Sequence, residues 1–217
     1  MKTGILFDLD GTLLDTLEDL LDATNYALAV HGYPPRTLPE LRSFVGNGAY
    51  NQMRLSVPEG TAAEKIQAVL DTYKPYYTEH CQIKTAPYVG IPAVLASLGE
   101  KYPLAIVSNK PDGAVKELCA RYFPGIYALG ERSDCPRKPA ADMLRKAMDA
   151  IGAECCIYVG DSEVDIATAK AAGVPCLSVT WGFRDRDQLE EEGAQWLCDR
   201  IVEIPGILTK MEEYYGQ

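Results

Sequence analysis

Two aspartates near the start of the chain have the spacing for nucleophilic and acid–base chemistry. Asp8 ends the apolar run 4–7, and Asp10 follows two positions later, before Gly11. A carboxylate can attack phosphorus and form an aspartyl-phosphate, which divides a hydrolysis into two easier steps. If the chain is still extended at Asp8, Asp10 projects to the same side, where it could protonate a leaving oxygen and later deprotonate water. The alternative is a solvated loop, because Asp-Gly is also a common turn.

A second pair of acids, Asp161 and Asp165, follows another apolar run. Several oxygen ligands without histidine or cysteine suit a hard cation, Mg²⁺ rather than Zn²⁺. Asp8 and Asp161 would bind it directly, and the main-chain carbonyl of Asp10 and water would complete an octahedron. Asp165 can share a helix face with Asp161 and would hold a metal-bound water or orient its neighbours. Helix capping by Asp161 or Ser162 is a second use of these residues, compatible with the first.

A bound phosphate would also need hydrogen-bond donors and a cation. Ser108 and Asn109 end a third apolar run and could donate hydrogen bonds to phosphate oxygens. Lys138 could supply the positive charge, and it would hold the acids close together despite their repulsion. Taken alone, Ser108 is an ordinary serine, and a lysine such as Lys138 is usually solvated at the surface.

A sheet is needed to bring these side chains together. The apolar runs have the length and composition of buried strands in a parallel sheet. They occupy residues 4–8, 104–109, 156–161 and 175–180. Helical patterns occupy residues 16–30, 112–122, 139–151 and 163–172. The alternation predicts a doubly wound α/β sheet, in which ligands bind outside the carboxyl ends of the strands. Asp8, Ser108 and Asp161 are therefore expected to converge at one edge of the sheet.

The segment from about residue 16 to residue 84 has a different pattern. It contains several helical patterns, broken by proline and glycine, and no convincing strand. We interpret it as a small helical domain inserted after the first strand, with residues 87–90 returning the chain to the sheet. The predicted boundaries are 1–15 and 85–217 for the core and 16–84 for the inserted domain.

The composition limits the partners. The chain has 217 residues, 47% of them hydrophobic, which is enough apolar material for one large domain or for a core with an insertion. The net charge of −10 argues against nucleic acid or an anionic membrane as a partner. It does not argue against a small anionic substrate, because a metal and a few local cations can hold one. The oligomeric state cannot be read from the sequence.

Two further patterns bear on localisation. We expect no membrane-spanning helix, because no run of about 18 apolar residues is present, and the N-terminus lacks the pattern of a signal peptide. The seven cysteines include no C-x-x-C pair, so they indicate neither a zinc site nor a disulfide framework. Free thiols in a reducing cytoplasm are the simplest interpretation.

Four short motifs, taken in order, resemble those of the haloacid dehalogenase-like hydrolase superfamily. They are Asp8-Leu9-Asp10-Gly11-Thr12-Leu13-Leu14-Asp15, Ser108 within Ile106-Val107-Ser108-Asn109-Lys110, Lys138-Pro139, and Gly160-Asp161-Ser162-Glu163-Val164-Asp165. Each motif is weak alone, but the ordered set spans nearly the whole chain and is specific. The resemblance implies a Rossmann-like core with an α-helical cap inserted after the first motif, and Mg²⁺ as cofactor. It also implies Asp8 as nucleophile and Asp10 as general acid/base. The dehalogenase branch fits poorly, since it typically lacks an acid at the position of Asp10.

Within the superfamily the chain is most similar to phosphoglycolate phosphatases. The segment 42–49 looks like their substrate-facing cap loop, and Thr180-Trp181-Gly182-Phe183 also resembles their pattern. Gly46 and Gly48 would let backbone N–H groups approach a small carboxylate, and Asn47 would add a donor. An ordinary turn between helices is the alternative for this loop. One departure is Lys138-Pro139-Ala140-Ala141, which lacks the second proline found in many relatives.

The motifs predict hydrolysis of a small phosphate monoester, with 2-phosphoglycolate as the preferred substrate. Other reactions on the same core stay open: nucleotidase, pyrophosphatase, sugar-phosphate phosphatase or phosphomutase. The mutase is disfavoured because the cap shows no His-plus-Lys pair, and His31 and His80 both lie in helical patterns. A non-catalytic regulatory protein on the same scaffold would be marked by loss of Asp8, Asp10, Lys138 or Asp161, all of which are present.

Overall fold

The computed structural model describes residues 2–215. Its centre is a six-stranded sheet in the order β5-β4-β1-β6-β7-β8, with every paired neighbour parallel. The strands are β1 (Thr3–Phe7), β2 (Leu14–Asp15), β3 (Ala86–Pro87), β4 (Leu104–Pro111), β5 (Tyr127–Glu131), β6 (Cys155–Gly160), β7 (Cys176–Val179) and β8 (Trp196–Cys198). The predicted Rossmann-like doubly wound core is confirmed.

Helices cover the sheet and build the inserted region. They are α1 (Leu17–Val30), α2 (Leu38–Phe44), α3 (Gly48–Ser56), α4 (Ala63–His80), α5 (Ile91–Gly99), α6 (Asp112–Tyr122), α7 (Asp142–Ile151), α8 (Glu163–Ala172), α9 (Arg186–Glu191) and α10 (Ile204–Tyr215). None of these helices of residues 2–215 combines the length and apolarity that a membrane crossing requires.

The strand order explains where a ligand can bind. From β1 the chain adds β4 and β5 on one side, and then crosses back to add β6, β7 and β8 on the other. The order therefore reverses beside β1, and the crevice outside the carboxyl ends of β1 and β6 is the expected ligand site. The middle of this sheet is buried on both faces, which is why its strands are continuous apolar runs rather than alternating ones.

The two edge strands were not predicted. β5 has the sequence Tyr-Ala-Leu-Gly-Glu and begins with an exposed tyrosine, and β8 is only three residues long. β5 is only partly buried and β8 is very short, so neither shows the continuous apolar run of a central strand. The last helix, α10, buries Ile204, Leu208 and Met211 against the core.

The two chain connections between the helical insertion and the core lie side by side. β2 and β3 form a short antiparallel pair, in which Leu14 lies opposite Pro87 and Asp15 lies opposite Ala86. Helices α1 to α4 lie between these two strands in the sequence, and the apolar faces of α1 and α4 are buried in the hydrophobic core. We call α1–α4 with their connecting loops the cap. The domain boundaries at residues 15/16 and 84/85 stay a prediction.

Candidate active site

Three neighbouring strands deliver polar side chains to the same edge of the sheet. Asp8 directly follows β1, Ser108 lies in the last part of β4, and Asp161 directly follows β6. The backbone N–H of Asp8 still donates to Val159 O at 2.8 Å, so the chain is held in the sheet at the point where the aspartate begins. All three side chains are buried. The expected convergence is therefore present in the geometry.

Lys138 joins this group from the loop that precedes α7. Its ammonium group lies 2.8 Å from Asp8 Oδ1 and 2.8 Å from Asp165 Oδ1, and it donates to the hydroxyl of Tyr158 at 2.8 Å. Burial alone would lower the pKa of Lys138, but the carboxylates of Asp165 and Asp8 outweigh burial and raise this pKa above its usual value. Lys138 therefore stays charged and ties two acids together.

Asp165 organises the turn before α8. Its Oδ1 accepts hydrogen bonds from Lys138 and from the Tyr158 hydroxyl, the latter at 2.9 Å. Its Oδ2 accepts from the backbone N–H of Asp161 at 3.2 Å, and from the N–H and hydroxyl of Ser162 at 3.1 and 2.7 Å. Burial would raise the pKa of Asp165, but Lys138 and these hydrogen bonds lower it. Both oxygens are engaged, which favours an orienting role for Asp165.

Asp161 lies in a tight space made by small residues. Its Oδ2 accepts from the backbone N–H of Phe183 at 2.7 Å, and its Oδ1 accepts from the hydroxyl of Thr12 at 3.2 Å. A Cβ atom added at Gly11 or at Gly182 would lie 2.3 Å from Asp161 Oδ2, and Gly11 has a φ of +82°. Glycine is thus required at both positions for this carboxylate to fit between them.

Asp8, Asp161 and Asp165 form a buried acidic cluster. One carboxylate oxygen from each lies within 4.8 Å of the others. Burial, together with the neighbouring acids, raises the pKa of Asp8 to about 7 against the opposing effect of Lys138, and it raises the pKa of Asp161 well above its usual value. A purely oxygen donor set with excess negative charge fits a hard divalent cation.

Asp10 lies beside this cluster and faces a different cation. Its Oδ1 accepts a hydrogen bond from Lys110 Nζ at 2.6 Å, and its Oδ2 accepts from the Ser108 hydroxyl at 3.4 Å. The carboxylate of Asp10 is not one of the three oxygens of the cluster, so its predicted contact with a metal would have to use the main-chain carbonyl. Lys110 was missed by the sequence analysis, although it stands two positions after Ser108 on an extended strand and so shares its side.

The cap loop reaches the same site. Gly46 and Gly48 line the cavity, with φ angles of +109° and +74°, whereas Asn47 is not among the described residues that line it. The side-chain amide of Asn109 donates to Gly46 O at 3.3 Å and to Lys138 O at 3.0 Å. Asn109 was predicted to donate to phosphate, but in this arrangement its N–H groups connect the cap loop to the loop of Lys138.

Two arginines fasten the cap to the core. Arg184 binds both oxygens of Glu163, at 2.7 and 2.9 Å, and donates to the carbonyls of Arg42 and Val45 at 3.0 and 3.1 Å. In return, Arg42 donates to Gly182 O at 2.7 Å. We call these contacts the arginine latch. The latch could not be predicted from the sequence, because no local pattern relates segments about 140 residues apart.

A cavity of about 50 Å³ lies between the cap and the sheet edge. Water occupies about 10–15 Å³ of such a volume, so the space admits only a small ligand. Core residues that line it are Asp8, Asp10, Ser108, Asn109, Lys110, Pro111, Lys138 and Phe183, and cap residues are Leu20, Val45, Gly46, Gly48, Ala49, Gln52, Tyr73 and Tyr77.

Comparison with known proteins agrees with this geometry. Residues 5–179 match the family model described as haloacid dehalogenase-like hydrolase. A phosphoglycolate phosphatase from Xylella fastidiosa is 34% identical over 221 residues, covering 95% of this chain and 91% of the relative. Phosphoglycolate phosphatase 1 from Pseudomonas aeruginosa is 31% identical, covering 92% of this chain and 77% of the relative.

Solved structures show the same architecture. One from Lactobacillus delbrueckii subsp. bulgaricus, described as that of a proposed phosphoglycolate phosphatase, has a TM-score of 0.89 at 36% identity, covering 94% of this chain and 97% of that one. A second structure, of a protein from Clostridium acetobutylicum described as a phosphatase by inference, has a TM-score of 0.86 at 24% identity. It covers 97% of this chain and 99% of that one, and it supports the fold alone.

The chain belongs to the haloacid dehalogenase-like hydrolase family. Within that family it is a phosphoric monoester hydrolase similar to the phosphoglycolate phosphatases.

Proposed function

We propose that the chain is a Mg²⁺-dependent phosphatase that acts through an aspartyl-phosphate on Asp8 and hydrolyses 2-phosphoglycolate. The observation that carries the proposal is the bridge from Lys138 to Asp8 and Asp165, at 2.8 Å each, beside an oxygen-only acidic cluster. If Asp8 were only part of a solvated turn, its carboxylate would be exposed to water and would not need a buried lysine to offset its charge. The free, largely buried thiols support a cytoplasmic enzyme.

Asp8 is the proposed nucleophile. Its Oδ1 faces Lys138, which leaves Oδ2 to attack the phosphorus atom of the substrate. The P–O bond to the leaving group breaks as the bond to Asp8 forms, and the phosphoryl group becomes an acyl phosphate on Asp8. Ser108, in the second half of β4, would donate to a phosphate oxygen. Lys138 offsets the charge of the nucleophile and of the acids around it.

Asp10 is the proposed general acid and base. In the first step it protonates the ester oxygen as that oxygen leaves. In the second step it removes a proton from a water molecule, which attacks the phosphorus atom and releases phosphate and the free carboxylate of Asp8. The bond from Lys110 fixes the orientation of Asp10 between these steps.

Mg²⁺ fits the acidic cluster, with Asp8, Asp161 and the main-chain carbonyl of Asp10 as proposed ligands and Asp165 as the residue that orients them. When bound, it would offset the negative charge of the phosphoryl group and of the surrounding carboxylates. The cap closes the site, and the small cavity supports a small metabolite over a nucleotide.

The test is phosphate release, with Mg²⁺ present, from 2-phosphoglycolate, sugar phosphates, nucleoside monophosphates and pyrophosphate. We expect kcat/KM for 2-phosphoglycolate to exceed every other value by at least about tenfold, or about 1.4 kcal/mol of discrimination. A preference for another phosphate would overturn the substrate and leave the phosphatase mechanism standing. Absence of hydrolysis across the whole panel would contradict the proposed function itself.

A further inference from the structure

The cavity contains two buried lysines whose surroundings differ. The ammonium group of Lys138 has an acceptor for each of its three protons, on two carboxylates and a tyrosine hydroxyl, each at 2.8 Å. The side chain of Lys110 is only 3% exposed. Within residues 2–215 its ammonium group has a single hydrogen-bond acceptor, Asp10 Oδ1. Because an ammonium group has three donors, Lys110 retains two for a ligand.

Tyr77 of the cap covers another side of Lys110. The ammonium nitrogen of Lys110 lies 4.7 Å from the centroid of the Tyr77 ring, a cation–π distance. Tyr77 is 1% exposed, and its hydroxyl finds no hydrogen-bond partner in the part of the chain that the structure describes. Burial of a hydroxyl without a partner is unfavourable. Both residues line the cavity, so a buried cation and a tyrosine with an unpaired hydroxyl lie next to whatever fills it.

The hydrogen bond between Lys110 and Asp10 sets the distance between the ammonium group of Lys110 and the ester oxygen of the substrate. Asp10 is the proposed donor to the ester oxygen, and the same carboxylate accepts from Lys110 at 2.6 Å. Two hydrogen bonds that meet on one carboxylate put the ester oxygen about 5–7 Å from the ammonium nitrogen. A carboxylate attached to the ester oxygen through one methylene group spans that interval. A neutral group of the same length leaves the charge of Lys110 without a substrate partner.

We propose that Lys110, assisted by Tyr77, binds the carboxylate of the substrate and thereby selects short phosphate monoesters with a carboxylate one carbon from the ester oxygen. This inference rests on the proposed function and assigns its specificity to a core lysine rather than to the cap loop alone. Lys138 holds the nucleophile Asp8 and the orienting residue Asp165, and Lys110 recognises the part of the substrate that is not transferred.

The first experiment compares two substrates on the unmodified protein with Mg²⁺. They are 2-phosphoglycolate and 2-hydroxyethyl phosphate, which has the same two-carbon chain with a hydroxymethyl group in place of the carboxylate. We expect kcat/KM to favour 2-phosphoglycolate by at least about tenfold. Equal values would overturn the carboxylate site and leave the phosphatase activity standing. Hydrolysis of neither compound would overturn the proposed function and this inference with it.

The second experiment repeats the comparison on variants. Lys110→Met should abolish the preference, with a loss of kcat/KM on 2-phosphoglycolate at least about tenfold larger than on the neutral compound, whereas Lys110→Arg should restore part of it. Lys101→Met, at an exposed lysine, is the matched control and should keep the preference. An equal loss on both compounds in Lys110→Met would overturn the proposal, because Lys110 would then act through Asp10 alone.

A variant with a smaller change covers the case in which Lys110→Met does not fold. Tyr77→Phe removes one oxygen atom that has no partner among the described residues, so the fold should be retained. We expect the preference for 2-phosphoglycolate to fall by about threefold or more. An unchanged preference in Tyr77→Phe would remove Tyr77 from the proposal, and together with an unchanged preference in Lys110→Gln, which removes the charge with a smaller change in shape, it would overturn the site.

Discussion

The ammonium group of Lys138 lies 2.8 Å from Oδ1 of Asp8, and both side chains are buried. The same ammonium group binds Asp165 on its other side. One lysine therefore offsets two carboxylates at the edge of the sheet. Removal of one partner from a buried ionic group leaves an uncompensated charge, which lowers the stability of the folded state more than replacement of the whole group does.

Lys138→Met should consequently destabilise the protein as well as inactivate it. Loss of a partner from a buried ion pair costs about 3–5 kcal/mol, which corresponds to a decrease of about 6–20 °C in Tm for a chain of this size. Thermal unfolding followed by circular dichroism measures this decrease. Lys170→Met, at an exposed lysine of α8, serves as the control. A Tm for Lys138→Met that equals that of the control would contradict the assigned role.

Asp8→Asn and Asp10→Asn should separate the two chemical roles. Asp8→Asn should lower kcat by more than about a hundredfold and should form no phosphorylated protein, because an amide is a poor nucleophile. Asp10→Asn should also be slow, because it lacks the acid and base, yet it should still become phosphorylated on Asp8. Intact-protein mass spectrometry after acid quenching detects the phosphoryl group. Phosphorylation of the Asp8→Asn variant would exclude Asp8 as the nucleophile.

Removal and return of metal should change stability as well as activity. EDTA should abolish turnover, and Mg²⁺ should restore it. A ligand at 100 times its Kd stabilises the folded state by about 2.7 kcal/mol, so Mg²⁺ should raise Tm by about 5–11 °C. Asp161→Asn should eliminate this increase. Asp134→Asn, at an acid outside the cluster, should preserve it. Equal increases in the two variants would place the metal elsewhere.

The arginine latch should control the cap. Arg184→Met removes hydrogen bonds to the carbonyls of Arg42 and Val45, so hydrogen exchange across residues 42–56 should accelerate and KM should rise by about tenfold. Arg186→Met is a matched control, because Arg186 binds Glu190 and Asp199 within the core and, among residues 2–215, makes no hydrogen bond or ion pair to the cap. If both variants exchange alike, the latch does not hold the cap.

The sequence predicted the centre of the sheet better than its margins. Strands β1, β4, β6 and β7 are continuous apolar runs because both of their faces are covered, and such runs are readable without a structure. β5 and β8 lie at the two edges of the sheet, where the partial exposure of β5 and the short length of β8 remove that pattern. The family resemblance and the fold class are confirmed, and the roles of the site residues stay predictions.

The site could be predicted only where its residues follow strands. Asp8 and Asp161 directly follow neighbouring strands, and Ser108 lies in the second half of the strand beside them, so topology alone brings them together. The ion pair of Lys110 with Asp10 depends on side-chain placement between segments 100 residues apart. The arginine latch depends on how the cap packs against the core. Neither relationship leaves a periodic signal in the sequence, because both are set by packing between distant segments.

The short pair of β2 and β3 has a consequence for how such enzymes can change. Both ends of the cap meet at Leu14–Pro87 and Asp15–Ala86, so the chain leaves the core and returns to it at neighbouring points. A cap of a different length or sequence could be exchanged between these two points without a shift in strand register. The part of the molecule that surrounds the substrate can thus be replaced as a unit, while the part that breaks the phosphate ester stays as it is.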